Sequence, residues 1–402
     1  MPGSAAPRRA LVVTCLGVTQ ILAWSSSFHL PAVVAAPIAA EMRWPLAAVI
    51  GGLSLGLVVA ALVSPKVGRA IEAHGGRPVL ALGSGVLAAG LVTLASATRL
   101  PVYFAAWAVI GAGMGMSLYD PAFATLGRLY GDEARGPIRG LTLVGGFAST
   151  VGWSLSAFCL AHFGWRGTCL AYAGLQVTVS LPMHLFVLPA ARPFASAARP
   201  APTRPVRRAG SEPAPSLAVA LLAASFTIHA VVWSVVSVHL LLILQRLGLD
   251  LAGAVALGAL IGPAQVGGRL VDTAFGRRLD PVWTALISAV LVTAGLGLLV
   301  YGSGLAAVAL LVYGAGNGVQ LIAKGSLPLA LFGPVGYAAL VGRLARPALL
   351  AQAVAPPAAA LLLGAGVAPV LALVVALAAL NIGAILVLAV EAGRLRARAG
   401  RR

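Results

Sequence analysis

Gly111-Ala-Gly-Met-Gly115, followed shortly by Asp120, has a near copy in the second half of the chain, where Gly314-Ala-Gly-Asn-Gly318 is followed by Lys324. Both copies lie in long apolar segments, so each places one ionisable residue where a bilayer makes a charge costly. Glycines at this spacing remove side chains from one helix face, which permits close helix approach or widens a cavity. The repeat therefore predicts two related halves, with the functional centre beside Asp120 and Lys324.

The composition indicates a polytopic membrane protein. Of 402 residues, 60% are hydrophobic and 9% are charged, whereas a typical soluble domain has about 25% charged residues. The net charge of +18 would suit a nucleic-acid-binding protein, but in a chain this apolar the basic residues orient loops. We therefore expect no nucleic-acid partner. Three cysteines lie in apolar segments without metal-ligand spacing, which predicts buried thiols and no metal site: Cys15, Cys159 and Cys169.

Apolar runs long enough to cross a bilayer recur along the chain on either side of a segment rich in Pro, Ala, Ser and Arg. That segment, residues 190–215, can neither cross a membrane nor bury a core. The predicted spans cover residues 10–37, 46–67, 78–97, 101–126, 138–162, 167–188, 216–244, 252–274, 281–301, 304–327, 337–363 and 367–390. The sequence thus predicts an all-α membrane protein of twelve transmembrane helices, with six-helix bundles at 1–189 and 216–402, a linker at 190–215 and a basic tail.

Basic residues of the connecting segments concentrate on one side of these spans. If the N-terminus is cytoplasmic, the exceptions on the opposite side are Arg43, Arg99, Arg166 and Arg246. The positive-inside rule then predicts that both termini and the linker are cytoplasmic. We expect a multi-pass protein of the plasma (bacterial inner) membrane, with lipids as its surroundings.

The two halves share further patterns. Gln20 and Trp24 on the first span are one helical turn apart, as are His229 and Trp233 on the seventh. After the second span comes Gly68-x-x-x-Glu72-x-x-Gly75-x-Arg77, and after the eighth comes Gly268-x-x-x-Asp272-x-x-x-Gly276-Arg277-Arg278.

These loops resemble the cytoplasmic signature loops of the major facilitator superfamily. Further matching features are the Gly-rich fourth span with Arg135 and Arg139, the Gly145–Gly152 run and Gly164-Trp165-Arg166. Within the superfamily the chain looks most like monocarboxylate and oxalate/formate-type carriers. Both loops depart from the full motif, since Glu72 replaces the usual aspartate, and Ala73 and Thr273 replace the arginine beside the acid. The resemblance therefore implies gating loops with a reduced set of charges.

The resemblance implies the major facilitator fold, in which two bundles rock about a site near mid-membrane lined by spans 1, 4, 7 and 10. Polar residues within spans concentrate on those helices. The predicted substrate-binding residues are Gln20, Trp24, Tyr119, Asp120, His229, Trp233, Tyr313, Asn317 and Lys324. The predicted gating residues are Gly68, Glu72, Gly75, Arg77, Asp272, Arg277 and Arg278.

Each candidate also has a structural alternative. Lys324 could extend to the lipid headgroups, and Asp120 could be tethered to Arg128 or Arg139. Trp24 and Trp233 could be packing residues. The remaining alternatives are polar anchoring near the outer surface for His29 and His239, and a cytoplasmic signature role for Arg269.

The sequence gives little support for an enzyme. It contains no phosphate-binding loop, no His-Glu-x-x-His zinc helix and no paired carboxylates, so we expect no enzyme activity and no cofactor. The favoured hypothesis is a secondary transporter of a small organic anion, such as a monocarboxylate, coupled to protons through Asp120 or His229. Two alternatives remain: an efflux carrier for lipophilic or cationic compounds, and a non-transporting receptor on the same fold.

Overall fold

The computed structural model describes residues 5–190, 217–276 and 279–400. The backbone within these ranges is helical, with turns and no strand, which confirms the all-α prediction. Most of the predicted linker, residues 191–215, lies outside the described residues, as do the predicted gating residues Arg277 and Arg278.

The first half contains eight α-helices. They are α1 (Ala5–Ser25), α2 (Pro31–Met42), α3 (Leu46–His74), α4 (Gly76–Ala95), α5 (Leu100–Ser117), α6 (Tyr119–Tyr130), α7 (Arg135–Gly145) and α8 (Ala148–Leu175). A short 3-10 helix, Gly131–Ala134, precedes α7, and π-helical turns Gln176–Ser180 and Met183–Val187 follow α8. Within α8 the backbone leaves helical geometry at Gly164 (φ 66°), a conformation that favours glycine.

The described part of the second half contains seven α-helices. They are α9 (Leu217–Arg246), α10 (Leu251–Gly258), α11 (Ile261–Phe275), α12 (Pro281–Leu299), α13 (Ala306–Phe332), α14 (Tyr337–Gly364) and α15 (Val367–Gly400). A 3-10 turn, Ser303–Leu305, precedes α13.

Nine helical stretches of the described chain are long and apolar enough to cross a membrane. One of them, Leu100–Val187, is 88 residues long and covers three predicted spans. The first predicted span appears as two shorter apolar helices, Arg9–Ser25 and Pro31–Met42. The chain is therefore a multi-pass integral membrane protein. The count of twelve spans, the bundle boundaries and the side of each terminus stay predictions.

The fourth predicted span is broken at Leu118, between α5 and α6, three residues before Pro121. A proline cannot donate a backbone N–H to the carbonyl four residues earlier, and its ring clashes with that carbonyl. Leu118 accordingly adopts an extended conformation (φ −76°, ψ −167°), and α6 begins at Tyr119. The carbonyl of Ser117, which would have accepted the missing bond, instead accepts one from Gln20 Nε2 at 2.6 Å.

The two halves meet at the ends predicted to be cytoplasmic. One buried apolar cluster contains Leu16, Phe123 and Ile138 from the first half together with Leu329 and Tyr337 from the second. Burial of such side chains stabilises the contact by about 1.5–3 kcal/mol each. The end of α13 and the start of α14 therefore pack against the first half at this interface.

Candidate functional site

Asp120 and Lys324 form an ion pair across the two halves. Lys324 Nζ lies 2.8 Å from Asp120 Oδ1 and donates a hydrogen bond to Oδ2 at 3.0 Å. The Asp120 side chain is 15% exposed and the Lys324 side chain is 28% exposed, so water only partly screens the pair. From the sequence, Lys324 could either extend to the lipid headgroups or lie in the interior. In the structure its ammonium contacts Asp120.

Local helix geometry explains the position of Asp120. The break at Leu118 places Asp120 in the first turn of α6, where unpaired backbone N–H groups favour a negative charge. Gln20 holds the break in place, because its amide donates to Ser117 O and its Oε1 accepts from Trp24 Nε1 at 3.2 Å. The predicted site residues Gln20 and Trp24 are thus connected to the helix that carries Asp120.

An aromatic cluster adjoins this break and joins both halves. The Trp24 ring lies 5.4 Å from the rings of Tyr119 and Phe28, measured between centroids. Phe28 in turn lies 5.1 Å from Trp233 of α9. The structure therefore brings together the predicted residues Trp24, Tyr119 and Trp233, with Phe28 as their link. Phe28 was not among the predicted site residues, since an aromatic residue in an apolar span gives no polar signal.

Arg269 on α11 is a buried cation beside this centre. Its residue is 4% exposed, and its guanidinium donates to Thr142 O at 3.2 Å, to Gln265 Oε1 at 3.1 Å and, more weakly, to Gly318 O at 3.4 Å. Among the described residues no carboxylate lies within 4.0 Å of it. A buried charge held by neutral groups alone is costly, which makes Arg269 a functional candidate.

The sequence favoured a cytoplasmic signature role for Arg269 over a role as a ligand. The available signal was its place in the chain: it follows the apolar run of α11 and precedes Asp272 by about one turn. The structure also places it within electrostatic range of Tyr119. Since the pairs Asp120–Lys324 and Arg139–Asp272 are each neutral, Arg269 leaves this centre with one excess positive charge.

Three predicted substrate-binding residues lie elsewhere in the second half. His229 lines a cavity with Asn381, within electrostatic range of Lys324. Tyr313 is 2% exposed within an apolar core cluster, and Asn317 donates to the Tyr313 carbonyl on its own helix at 2.9 Å. The structure does not bring these side chains onto the Asp120–Lys324 pair, and their role in binding stays a prediction.

The predicted gating carboxylates each contact the opposite half. Glu72, near the end of α3, accepts bonds from the backbone N–H groups of Gly336 (3.3 Å) and Ala338 (3.2 Å) at the start of α14. Asp272, near the end of α11, accepts a bond from Arg139 Nε on α7 at 3.1 Å, and Arg139 also donates to Gly276 O at 2.7 Å.

The other described gating residues lie around the α3–α4 connection. Gly75 joins the helices with φ 80°, a left-handed conformation that favours glycine. Gly68 packs against the backbone of Gly342 on α14. Arg77 lies in the first turn of α4. Gating itself stays a prediction for all of these residues.

Comparisons with known proteins agree with this fold. The crystal structure of the human organic anion transporter MFSD10 (TETRAN) is similar with a TM-score of 0.74 and 18% identity, covering 94% of this chain and 99% of that one. A variant of the E. coli fucose:proton symporter FucP is similar with a TM-score of 0.70 and 13% identity, covering 96% of this chain and 98% of that one. At these identities the likeness shows the fold alone.

Comparison with curated protein sequences gives no match. A sequence model of the Major Facilitator Superfamily, in contrast, matches residues 15–334, which is most of the chain. The match confirms the resemblance found in the signature loops, while the monocarboxylate-type branch stays a prediction. The chain belongs to the major facilitator superfamily, whose members are transporters and not enzymes.

Proposed function

We propose that this protein is a secondary transporter that moves a small organic anion, such as a monocarboxylate, across the plasma (bacterial inner) membrane by alternating access coupled to protons. The observation that carries the proposal is the excess positive charge at the centre, where Arg269 is buried without a carboxylate partner. An anionic substrate would supply the missing counter-charge.

Arg269 has the hydrogen-bonding capacity for such a substrate. A guanidinium carries five N–H donors, and three hydrogen bonds to neutral acceptors leave two N–H groups for another partner. The bond to Gly318 O is long, at 3.4 Å, and is readily exchanged. Arginine and carboxylate groups match in shape and form strong charge-assisted bonds, which favours a carboxylate substrate.

Lys324 supplies the second cation and Asp120 the proton site. When Asp120 takes up a proton, its hold on Lys324 weakens, and the ammonium becomes available to the substrate carboxylate. When Asp120 releases the proton, it competes for Lys324 again and expels the anion. One proton and one monovalent anion then move together, and the ion pair re-forms in the empty protein.

Glu72 and Asp272 are proposed to control closure at the cytoplasmic ends. Each holds the opposite half through backbone N–H groups or Arg139, so the contacts must break before the halves can separate there. Alternating access requires such breakable contacts on one side of the site. Loss of either carboxylate is expected to favour the inward-open state.

An efflux carrier for lipophilic or cationic compounds is the second candidate. The aromatic cluster of Trp24, Phe28 and Trp233 could bind an apolar cation by contact with ring faces, with Asp120 as counter-charge. Two observations oppose a cationic substrate. Lys324 already occupies Asp120 as its counter-charge, and the excess positive charge of Arg269 would repel a cation.

Uptake into proteoliposomes separates the two candidates. The panel contains small carboxylates and lipophilic cations, each measured with and without a pH gradient. We expect accumulation of at least one carboxylate that depends on the gradient, and loss of that transport in Arg269→Gln. Arg99→Gln, which removes an exposed arginine at the start of α5, is the matched control. Gradient-dependent movement of cations with no carboxylate transport would overturn the proposal.

A further inference from the structure

Tyr119 connects the aromatic cluster to Arg269. The ring of Tyr119 lies 5.4 Å from that of Trp24, measured between centroids. Its hydroxyl rests against Gly145, the last residue of α7, where an added Cβ atom would lie 2.5 Å from the oxygen. The Arg269 guanidinium rests against the next residue, Gly146, because a Cβ atom there would overlap with Nη1. Two adjacent glycines therefore seat the hydroxyl and the cation side by side at the end of α7.

The rings of Trp24, Phe28 and Trp233 are only partly covered by protein. Each of the three residues is partly exposed, although Phe28 and Trp233 lie 5.1 Å apart between the two halves. Trp24 and Phe28 pack against the core of the first half. Trp233, in contrast, is part of neither buried cluster described for the second half. The cluster therefore leaves ring surface free for another molecule.

Hydrogen bonding orients the central ring of this cluster. Trp24 Nε1 donates to Gln20 Oε1 at 3.2 Å, and the Gln20 amide donates in turn to Ser117 O at 2.6 Å. Because the indole is held before any ligand arrives, little side-chain freedom is lost when a ligand binds. A fixed, flat surface favours a flat and rigid ligand over a flexible chain, which would lose more conformational freedom on binding.

The centre thus presents an aromatic surface with a cation at one end. Aromatic rings pack in offset or edge-to-face arrangements, and such pairs stabilise binding beyond the area that they bury. A carboxylate forms strong charge-assisted bonds with a guanidinium. Since Tyr119 adjoins both Trp24 and Arg269, a ligand that meets the two groups together carries its ring and its carboxylate close to each other.

We infer that the transported anion is an aromatic monocarboxylate, whose carboxylate binds Arg269 and whose ring packs against Trp24, Phe28 and Trp233. The inference rests on the proposed transport of organic anions and narrows its substrate class. Phe28 and Trp233 become specificity-determining residues, one from each half. Both contribute ring surface and no charge, so they distinguish an aromatic ring from an alkyl group and leave the carboxylate to Arg269.

Matched pairs of carboxylates test the substrate class by binding. Benzoate, phenylacetate and hydrocinnamate are each compared with the cyclohexyl compound of the same carbon skeleton, so charge and carbon number are equal within a pair. Titration calorimetry on the purified full-length protein measures both affinities without a need for transport. We expect at least one aryl carboxylate to bind about tenfold more tightly than its cyclohexyl counterpart, because only the aryl ring forms aromatic pairs.

Variants of the cluster show whether these rings produce the preference. Trp233→Leu and Phe28→Leu should each weaken binding of the preferred aryl carboxylate by about tenfold and that of its cyclohexyl counterpart by less than about twofold. Trp233→Phe keeps a ring and should retain most of the preference. Trp283→Leu and Phe186→Leu make the same changes at exposed positions outside the cluster and should leave both affinities unchanged.

Equal affinities within every pair, or no binding of any aryl carboxylate, would overturn the inference. Equal loss of both partners of a pair in Trp233→Leu would show that the rings only pack, and would overturn it as well. Phe28→Leu carries the test if Trp233→Leu fails to give folded protein. The two proposals fail separately: equal binding of aryl and cyclohexyl carboxylates leaves organic-anion transport standing, whereas binding of benzyltrimethylammonium with no carboxylate contradicts both.

Discussion

The two copies of the glycine repeat have similar sequences and different backbones. In the first copy Pro121 follows the acid, the helix breaks at Leu118, and Asp120 lies in the first turn of α6. In the second copy Gly325 follows the lysine, and α13 continues unbroken through Lys324 from Ala306 to Phe332. The first copy is therefore interrupted just before its charge, whereas the second is continuous, even though α13 also contains Pro328.

The difference gives the two charges unequal support. Asp120 lies at a helix start, where free N–H groups favour its negative form, and Gln20 holds the neighbouring break. Lys324 lies inside a long helix and has Asp120 as its carboxylate partner. The comparison teaches that two similar sequence repeats can hold their charges differently, one at a helix start and the other inside a continuous helix.

Forcing the same break into the second copy is expected to have the largest effect. Gly325→Pro places a proline inside α13, which should destabilise the protein by about 3 kcal/mol or more. Gly325→Ala is the control for added volume, because a Cβ there already meets Ile138 at 2.7 Å. Thermal unfolding of the purified protein measures both. Equal destabilisation by the two variants would show that space, and not helix continuity, matters at this position.

Removing the partner of Asp120 should have the next largest effect. Lys324→Gln leaves a partly buried carboxylate unpaired, at a cost of up to roughly 3 kcal/mol, and should abolish high-affinity anion transport. The double variant Asp120→Asn/Lys324→Gln should unfold at a higher temperature than either single variant. If Lys324→Gln leaves the apparent affinity for every transported anion unchanged, Lys324 is not the second cation of the substrate site.

A third change tests whether Gln20 stabilises the helix break. Gln20→Leu leaves the Ser117 carbonyl without its bond, which should cost about 1–3 kcal/mol for a buried acceptor. The companion variant Gln20→Leu/Pro121→Ala supplies a backbone N–H at position 121 that can close the helix. We expect this variant to regain stability but not transport. Failure of Pro121→Ala to restore any stability would contradict the assigned role of Gln20.

The smallest expected effect concerns the gating carboxylates, which form the second pair of related positions. Glu72→Gln removes a charge worth about 0.3–1 kcal/mol at a helix N-terminus. We expect faster cytoplasmic thiol labelling of a cysteine introduced by Val67→Cys, with the same direction for Asp272→Asn. Asp132→Asn, at an exposed position, should leave labelling unchanged. If labelling and transport are unchanged in both variants, the two carboxylates do not control gating, and the loops serve only to orient the protein in the membrane.

The sequence was sufficient to predict the fold and the central pair of charges. Charges within apolar spans are rare, and the repeat placed Asp120 and Lys324 at matched positions, so their meeting followed from the two halves packing face to face. The helix break was open to prediction from Pro121, but which group would satisfy the Ser117 carbonyl depended on the neighbouring helix.

Other parts of the site required the three-dimensional structure. A polar residue in a span may belong to the central site or to the interior of its own half, and sequence spacing does not fix helix rotation. His229, Tyr313 and Asn317 therefore carried the same signal as Gln20, yet the structure places them in the second half's own packing. Arg269 was not predicted to be buried, because its position in the signature loop suggested a surface residue.

The unpaired charge of Arg269 has an electrical consequence. In the proposed cycle the empty centre holds Arg269, Lys324 and ionised Asp120, which together carry a net charge of +1. Loaded with one monovalent anion and a protonated Asp120, the same groups and the substrate again total +1. Moving one elementary charge across a membrane potential of 100 mV changes its free energy by about 2.3 kcal/mol. Because the empty and loaded forms carry the same net charge, the potential affects both equally. Accumulation should therefore follow the pH gradient and be insensitive to membrane voltage.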